Sequence, residues 1–231
     1  MTSLITGHPG LAVDRRSLMT DAWDLYAHAS LPLRVKQRLR PAGSGMELIF
    51  PHVPVGARVL DIGCGSGLLL GLLAKQDRQI TGVGFDPSKG AIGLAQEMAG
   101  HAVETGSTLS FERRDSREEW PQGAFDVVTM VDVIHHIPVA AQREVFDKAC
   151  QAVRPGGVFV YKDMGLEPFW RATACRLHDV VIARDWIHPI PVATVEAWAA
   201  EHGLVVESGE LALRALYVNE IRVFRKIGAS A

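Results

Sequence analysis

Asp61-Ile62-Gly63-Cys64-Gly65-Ser66-Gly67 is the stretch of this chain whose residue types best suit the holding of a small charged molecule. Glycine at alternate positions makes a tight turn in which backbone approaches a ligand with no Cβ in the way. Cys64 fits that turn as a small residue, although a thiol there could also be reactive. Asp86-Pro87-Ser88 closes a later apolar run. A carboxylate at such a tip can accept hydrogen bonds from two adjacent sugar hydroxyls, and it can equally cap the helix that follows. Asp115-Ser116 and Asp132 stand at the ends of two further runs, and His135-His136 follows directly. A neutral imidazole can take the proton of a hydroxyl or amine near pH 7, while paired histidines at a turn can also simply cap a helix.

These residues need elements to converge them. Arg58–Ile62 is short, apolar and β-branched, which predicts a buried parallel strand, and the leucine-rich run from Leu68 predicts a helix packed on a sheet. A strand, a glycine turn and a helix place free N–H groups at the C-terminal edge of a sheet. The pattern predicts further strands over residues 79–85, from Leu109, over Phe125–Val131, and over Val158–Asp163, with an amphipathic helix over Ala140–Val153. Arg154-Pro155-Gly156-Gly157 stops that helix and reverses the chain. Thr194–Gly203 reads as a helix ending on glycine. Leu204–Glu207 and Tyr217–Arg225 read as two closing strands parted by Gly209 and a mixed stretch.

The 231 residues suffice for one large α/β domain, and a formal net charge of −2 excludes a global pull toward nucleic acid. Cys64, Cys150 and Cys175 are widely spaced and make neither a metal-type pair nor a disulfide framework, so a reducing cytoplasm is expected. No apolar run has membrane-spanning length, and the first residues lack the build of a signal peptide.

The Asp-x-Gly-x-Gly-x-Gly block, Asp86, the Asp132 to Pro138 exit and the Arg-Pro-Gly-Gly turn together resemble the class I S-adenosylmethionine-dependent methyltransferases that act on small molecules or lipids. The resemblance runs over roughly residues 55 to 225. It implies a doubly wound, mostly parallel seven-stranded Rossmann-like sheet, strand order 3-2-1-4-5-7-6, with strand 7 antiparallel. It implies S-adenosyl-L-methionine as methyl donor and S-adenosyl-L-homocysteine as product. Asp61, Gly63, Cys64, Gly65, Gly67, Asp86, Pro87, Asp115, Ser116 and Asp132 are then the expected cofactor residues, with Asp86 on the ribose and Asp115 on the adenine amine. His135 or His136 is the expected base. The Pro-Pro-aromatic signature of adenine-N6 enzymes is missing, so no nucleic acid is expected. Asp132 and Asp163 could converge as in metal-dependent relatives, but Met164 stands where that pattern has Asn, and no metal is expected. A nicotinamide-linked (NAD) oxidoreductase would use the same turn and Asp86 while leaving Asp115, His135-His136 and the closing hairpin unexplained. A catalytically silent methyltransferase-like subunit is the other alternative.

Residues 1–54 read as a helical appendage or lid before a catalytic unit at 55–231. Helices are predicted from Ser17 to Ala29 and from Leu33 to Arg40, a flexible break at 41–45, and a short helix around Met46–Phe50. Arg34, Lys36, Arg38 and Arg40 form either a solvated helix whose apolar edge, Val35 and Leu39, lies on the main domain, or a dock for an anionic substrate, a phospholipid surface or a carrier protein. A helix over residues 167–184 and a proline-broken turn after it would form the acceptor lid. Tyr26, Asp163, Trp170, His178, Trp186 and His188 are the expected substrate-pocket residues, favouring an apolar or aromatic acceptor.

Overall fold

A computed structural model describes residues 13–102, 106–165, 188–214 and 217–228. Seven strands make one sheet: β1 (Arg58–Ile62), β2 (Thr81–Asp86), β3 (Thr108–Arg113), β4 (Phe125–Val131), β5 (Val153–Met164), β6 (Leu204–Arg214) and β7 (Tyr217–Lys226). Their order is β3-β2-β1-β4-β5-β7-β6, parallel from β3 to β5, with β7 antiparallel to both neighbours, as the sequence implied.

The central strands β1, β4 and β5 are buried on both faces, and the two-residue period sorts the sheet's buried side chains into two cores. Val59, Val127, Val158, Val160 and Val223 face one side, against α1 (Arg15–Leu25), α3 (Leu68–Lys75) and α4 (Lys89–Ala102). Leu60, Val128, Met130, Phe159, Tyr161 and Phe224 face the other, against α5 (Val139–Ala152) and α6 (Val192–Glu201). Leu18, Ala22, Leu25 and Tyr26 of the N-terminal segment lie in the first core with the sheet. Among the described residues no helix is long and apolar enough to cross a membrane.

Four elements differ from expectation. Strand β5 begins at Val153 and includes Arg154-Pro155-Gly156-Gly157, where a chain-reversing turn was expected before a strand from Val158. Helix α2 spans Leu31–Ser44, continuing through Pro41 where a break was predicted, and ends on Gly45 at φ +66°. Its buried side chains are Gln37 and Pro41, so Val35 and Leu39 do not rest on the domain and are exposed. In place of one short helix around Met46–Phe50 the chain makes two 3-10 turns, Met46–Leu48 and Phe50–His52. Strand β6 runs straight through Gly209 to Arg214, because as the edge strand it needs pairing on one side only.

The turn between β1 and α3 is held by geometry that only glycine supplies at two points. Gly63 sits at φ +64° and a Cβ there would meet a Val133 methyl at 2.5 Å; Gly67 sits at φ +79° and a Cβ would meet the Phe111 ring at 2.7 Å. Gly65 faces comparatively open space, its nearest neighbour Arg40 at 3.6 Å from such a Cβ. Gly67→Ala therefore combines strain with a clash against a buried ring, and should lose about 1–3 kcal/mol of stability. Urea unfolding should rank it below Gly65→Ala, which carries backbone strain without the clash. Equal losses would mean that the Phe111 contact is readily relieved.

Candidate active site

Beyond the C-terminal ends of β1, β2 and β4 lies a cavity of about 350 Å³, bounded by Gly63, Phe85, Asp86, Pro87, Asp115, Ser116, Arg117, Asp132, Val133, His136, Ile137 and Pro138. Its volume falls in the range of roughly 300–1,000 Å³ typical of small-molecule sites. Phe85, Pro87, Val133, Ile137 and Pro138 make the wall largely apolar, with carboxylates and one imidazole set into it.

Asp86 is the last residue of β2. Its Oδ2 accepts the Gly65 N–H at 3.0 Å and its Oδ1 accepts the Ser88 N–H at 2.8 Å. The helix cap itself is Ser88, whose Oγ accepts the Ala91 N–H at 3.3 Å. A carboxylate has about four lone-pair directions, so both Asp86 oxygens keep acceptor capacity toward the cavity. The same bond ties the glycine turn to β2. On the other side of the turn the buried Tyr26 hydroxyl donates to the Ser66 carbonyl at 2.7 Å, and burial raises its pKa above the usual phenol range. Tyr26 therefore belongs behind the turn and not in a substrate pocket, which corrects the sequence expectation.

Asp115 and Ser116 line the cavity beside Pro87. Asp115 is gripped by the forked Arg117 guanidinium at 2.8 and 2.9 Å, which with the Arg117 N–H lowers its pKa to about 2. Sequence reasoning did not foresee Arg117, although it lies only two positions past the carboxylate it holds. The Ser116 carbonyl accepts the Trp120 indole N–H at 2.7 Å.

Asp132 lies just past β4 with φ +57°, a costly conformation for a residue with a Cβ. Its N–H donates to the Lys162 carbonyl at 2.9 Å, and its two carboxylate oxygens accept from the buried Lys162 ammonium at 2.6 and 2.7 Å. That ion pair fixes the strained residue at the cavity edge. Asp163, next along β5, points to the opposite face. Its Oδ1 lies 2.5 Å from His135 Nδ1, and its Oδ2 accepts the Tyr161 hydroxyl at 3.3 Å. Asp132 and Asp163 therefore serve different partners, and Asp163 is buried (3% exposed) in place of lining a substrate pocket.

The two histidines sit in a 3-10 turn, Ile134–His136, with different surroundings. His136 is exposed and faces the cavity; His135 is buried behind it, their ring centroids 4.1 Å apart. The geometry thus separates a reachable imidazole from one that holds it in place. His188 is exposed, and its backbone fastens this turn: its N–H donates to the His135 carbonyl at 2.8 Å, and its carbonyl accepts from Gln142 at 2.7 Å. Trp170, His178, Trp186 and Cys175 lie outside the described residues.

Asp61, near the end of β1, and Cys64, Gly65 and Gly67, within the turn itself, are not among the residues that bound the cavity. Cys64 packs against Gly84 of β2, and burial pushes its thiol far above the usual range, consistent with a filler and not a nucleophile. Asp61 accepts the Thr129 hydroxyl at 2.7 Å across β1 and β4. Its burial pushes its pKa up to about 7, against the Thr129 hydrogen bond and the charge of Arg40. Arg40 lies over the glycine turn, close to Gly65, from a helix that sequence reasoning read as solvated or as a dock and did not place beside the turn.

Strand order with an antiparallel β7, a glycine turn after β1 and an acid at the tip of β2 define the class I methyltransferase fold. The comparisons agree. Residues 34–208 match the methyltransferase domain family. The ubiquinone biosynthesis O-methyltransferase of Yersinia pestis (strain Pestoides F) is 30% identical over 185 residues, covering 76% of this chain and 66% of that protein. The enzyme of the same name from Colwellia psychrerythraea is 28% identical over 155 residues, 64% of this chain and 60% of that one. The chain spans no more than about two thirds of the length of these relatives. Among solved structures, magnesium protoporphyrin IX methyltransferase from Synechocystis PCC 6803 with bound SAH superposes with TM-score 0.66 at 18% identity, covering 91% of this chain and 95% of that one. An O-methyltransferase family protein from Burkholderia thailandensis gives 0.62 at 22% identity, over 94% and 71%. This chain belongs to the methyltransferase domain family, in the class I S-adenosylmethionine-dependent group.

The Asp61 environment carries a pH signature. Its folded pKa lies above the ordinary carboxylate value near 3.8, so the folded state holds the proton more tightly and this site loses stability as pH rises from about 4 to 7. Asp61→Asn removes that dependence. The stability of Asp61→Asn relative to wild type should rise across this window, by up to roughly 4 kcal/mol, and level off above it. Chemical denaturation at several pH values measures the difference; a flat difference would mean that Asp61 stays ionised when folded.

Proposed function

We propose that this chain transfers a methyl group from S-adenosylmethionine to a hydroxyl oxygen of a small apolar or aromatic acceptor, in a reducing cytoplasm. The observation that carries the reading is the placement of Asp86 and His136 on the wall of one cavity beside the Gly63 turn. The names of the O-methyltransferase relatives support oxygen as the acceptor atom. The buried free thiols of Cys64 and Cys150 support the compartment.

The residues present fit such a donor. Val133 occupies the space a Cβ on Gly63 would need, leaving bare backbone at the cavity floor. Asp86 has lone pairs for two ribose hydroxyls, Asp115 and Ser116 border the apolar slot suited to a purine, and Arg40 offers positive charge above the turn for a carboxylate. When bound, S-adenosylmethionine supplies a methyl group already activated on its sulfonium. The protein's work is then alignment and exclusion of water, for which orientation alone can supply roughly 7–11 kcal/mol. His136, on the cavity wall, is placed to take the acceptor's proton at a ring nitrogen. His135, fixed by Asp163 and by the His188 backbone, packs against His136 and limits its rotation.

Two measurements check this. Calorimetric titration with S-adenosylhomocysteine should show binding to the wild type and a loss of about a hundredfold or more in Asp86→Ala, since charge-assisted bonds contribute about 1.5–3 kcal/mol each; undiminished binding would remove Asp86 from the ribose. With labelled donor and a panel of phenolic acceptors, His136→Ala should lower kcat by roughly 10²–10⁴ while leaving cofactor affinity unchanged. An unchanged kcat would mean that alignment suffices without a base. Complete inactivity of the wild type toward extracts and acceptors alike would favour the silent-subunit alternative.

A further inference from the structure

Helix α2 presents a face that the methyl-transfer reading does not use. Leu31, Val35 and Leu39 are 65%, 40% and 55% exposed, and their spacing of four puts them in one line along the helix. The opposite side of the helix is the one that rests on the domain, through Gln37 and Pro41. Helical geometry sets Arg38 along one edge of the apolar line and Lys36 along the other. Residues Leu31 to Ser44 hold four cations and no acid, in a chain whose formal net charge is −2. Among the described residues Lys36, Arg38 and Arg40 form no ion pair. Arg34 and Arg38 lie over the Trp23 ring, at 3.9 and 5.5 Å from its centre, which places a half-buried aromatic beside the basic edge.

We propose that α2 is a docking surface for an anionic lipid bilayer, lying along the membrane with Leu31, Val35 and Leu39 in the acyl boundary and Lys36 and Arg38 at the headgroups. The face is a convex helix with a row of aliphatic side chains between two basic edges. That shape and charge match a flat negative surface, the arrangement by which amphipathic helices lie in the interface plane. Arg40, near the C-terminal end of the same helix, reaches the glycine turn, so the docked surface adjoins the cofactor end of the cleft. The docking stands apart from methyl transfer and is read without any activity measurement.

Co-sedimentation of the full chain with vesicles tests it. Binding is expected to vesicles of phosphatidylcholine mixed with phosphatidylglycerol, weak or undetectable to phosphatidylcholine alone, and reduced by salt. Lys36→Glu with Arg38→Glu should weaken partitioning by roughly tenfold or more, and Val35→Ser with Leu39→Ser should also weaken it, although all four side chains are exposed and the thermal midpoint should hold. Absence of vesicle binding, or binding that these variants leave unchanged, overturns the proposal. A concentration-dependent dimer in sedimentation velocity that Val35→Ser with Leu39→Ser dissociates would assign the face to a second copy. Salt-sensitive retention by soluble polyglutamate without vesicle binding would assign it to an acidic protein; either result overturns the lipid assignment.

Discussion

The hydrogen bond from the Gly65 N–H to Asp86 Oδ2 joins the two parts of this structure that the proposed nucleoside would touch together. One partner lies in the turn after β1 and the other at the tip of β2, strands paired in parallel from Arg58 with Thr81 to Ile62 with Phe85. The Cys64 N–H, donating to the Phe85 carbonyl at 3.0 Å, extends that pairing one step past the strand end. Tyr26 then closes the turn from the other side through Ser66. A backbone in left-handed conformations at Gly63, Gly65 and Gly67 is conformationally expensive, and these contacts from β2 and from the end of α1 select one arrangement of it.

A second constraint organises the opposite wall. The alternation of β5 sends Lys162 to one face and Asp163 to the other, so adjacent residues serve two distinct buried pairs. Lys162 holds Asp132 in its positive-φ conformation, and Asp163 holds His135. Both pairs act on the short segment between β4 and α5, where His136 meets the cavity. Removing either partner from a buried pair leaves a charge or polar group without compensation, which costs more than the pair contributes. The segment that presents the imidazole is therefore rigid for reasons rooted in the sheet and not in the loop itself.

Much of this was legible in the sequence because it is local. The β1 boundaries, the glycine turn, the β2-terminal Asp86 and the end of α5 just before Arg154 are each set by a few neighbouring residues, although Arg154-Pro155-Gly156-Gly157 lies within β5 in place of the expected turn. What escaped depends on register or on distance along the chain. Tyr26 reaches Ser66, 40 positions further along the chain, and its aromatic character alone suggested a pocket. That Asp163 turns away from Asp132 follows only once β4 and β5 are paired, Val131 beside Lys162. Pro41 reads as a breaker but sits in the buried turn of α2, where packing overrides propensity. Gly209 reads as a loop residue but is tolerated in an edge strand that also carries a bulge between Val206 and Ser208. Val35 and Leu39 read as a core edge because apolar spacing does not say which side of a helix is covered.

In the proposed site a nucleoside lies against the Gly63 turn with its ribose on Asp86. A crystal structure of the full chain with S-adenosylhomocysteine tests it most directly. The expected result is density in the cavity between Phe85 and His136, with both ribose hydroxyls within hydrogen-bond distance of the Asp86 carboxylate. A cleft that stays empty at saturating ligand, or a nucleoside bound away from Asp86, would contradict it.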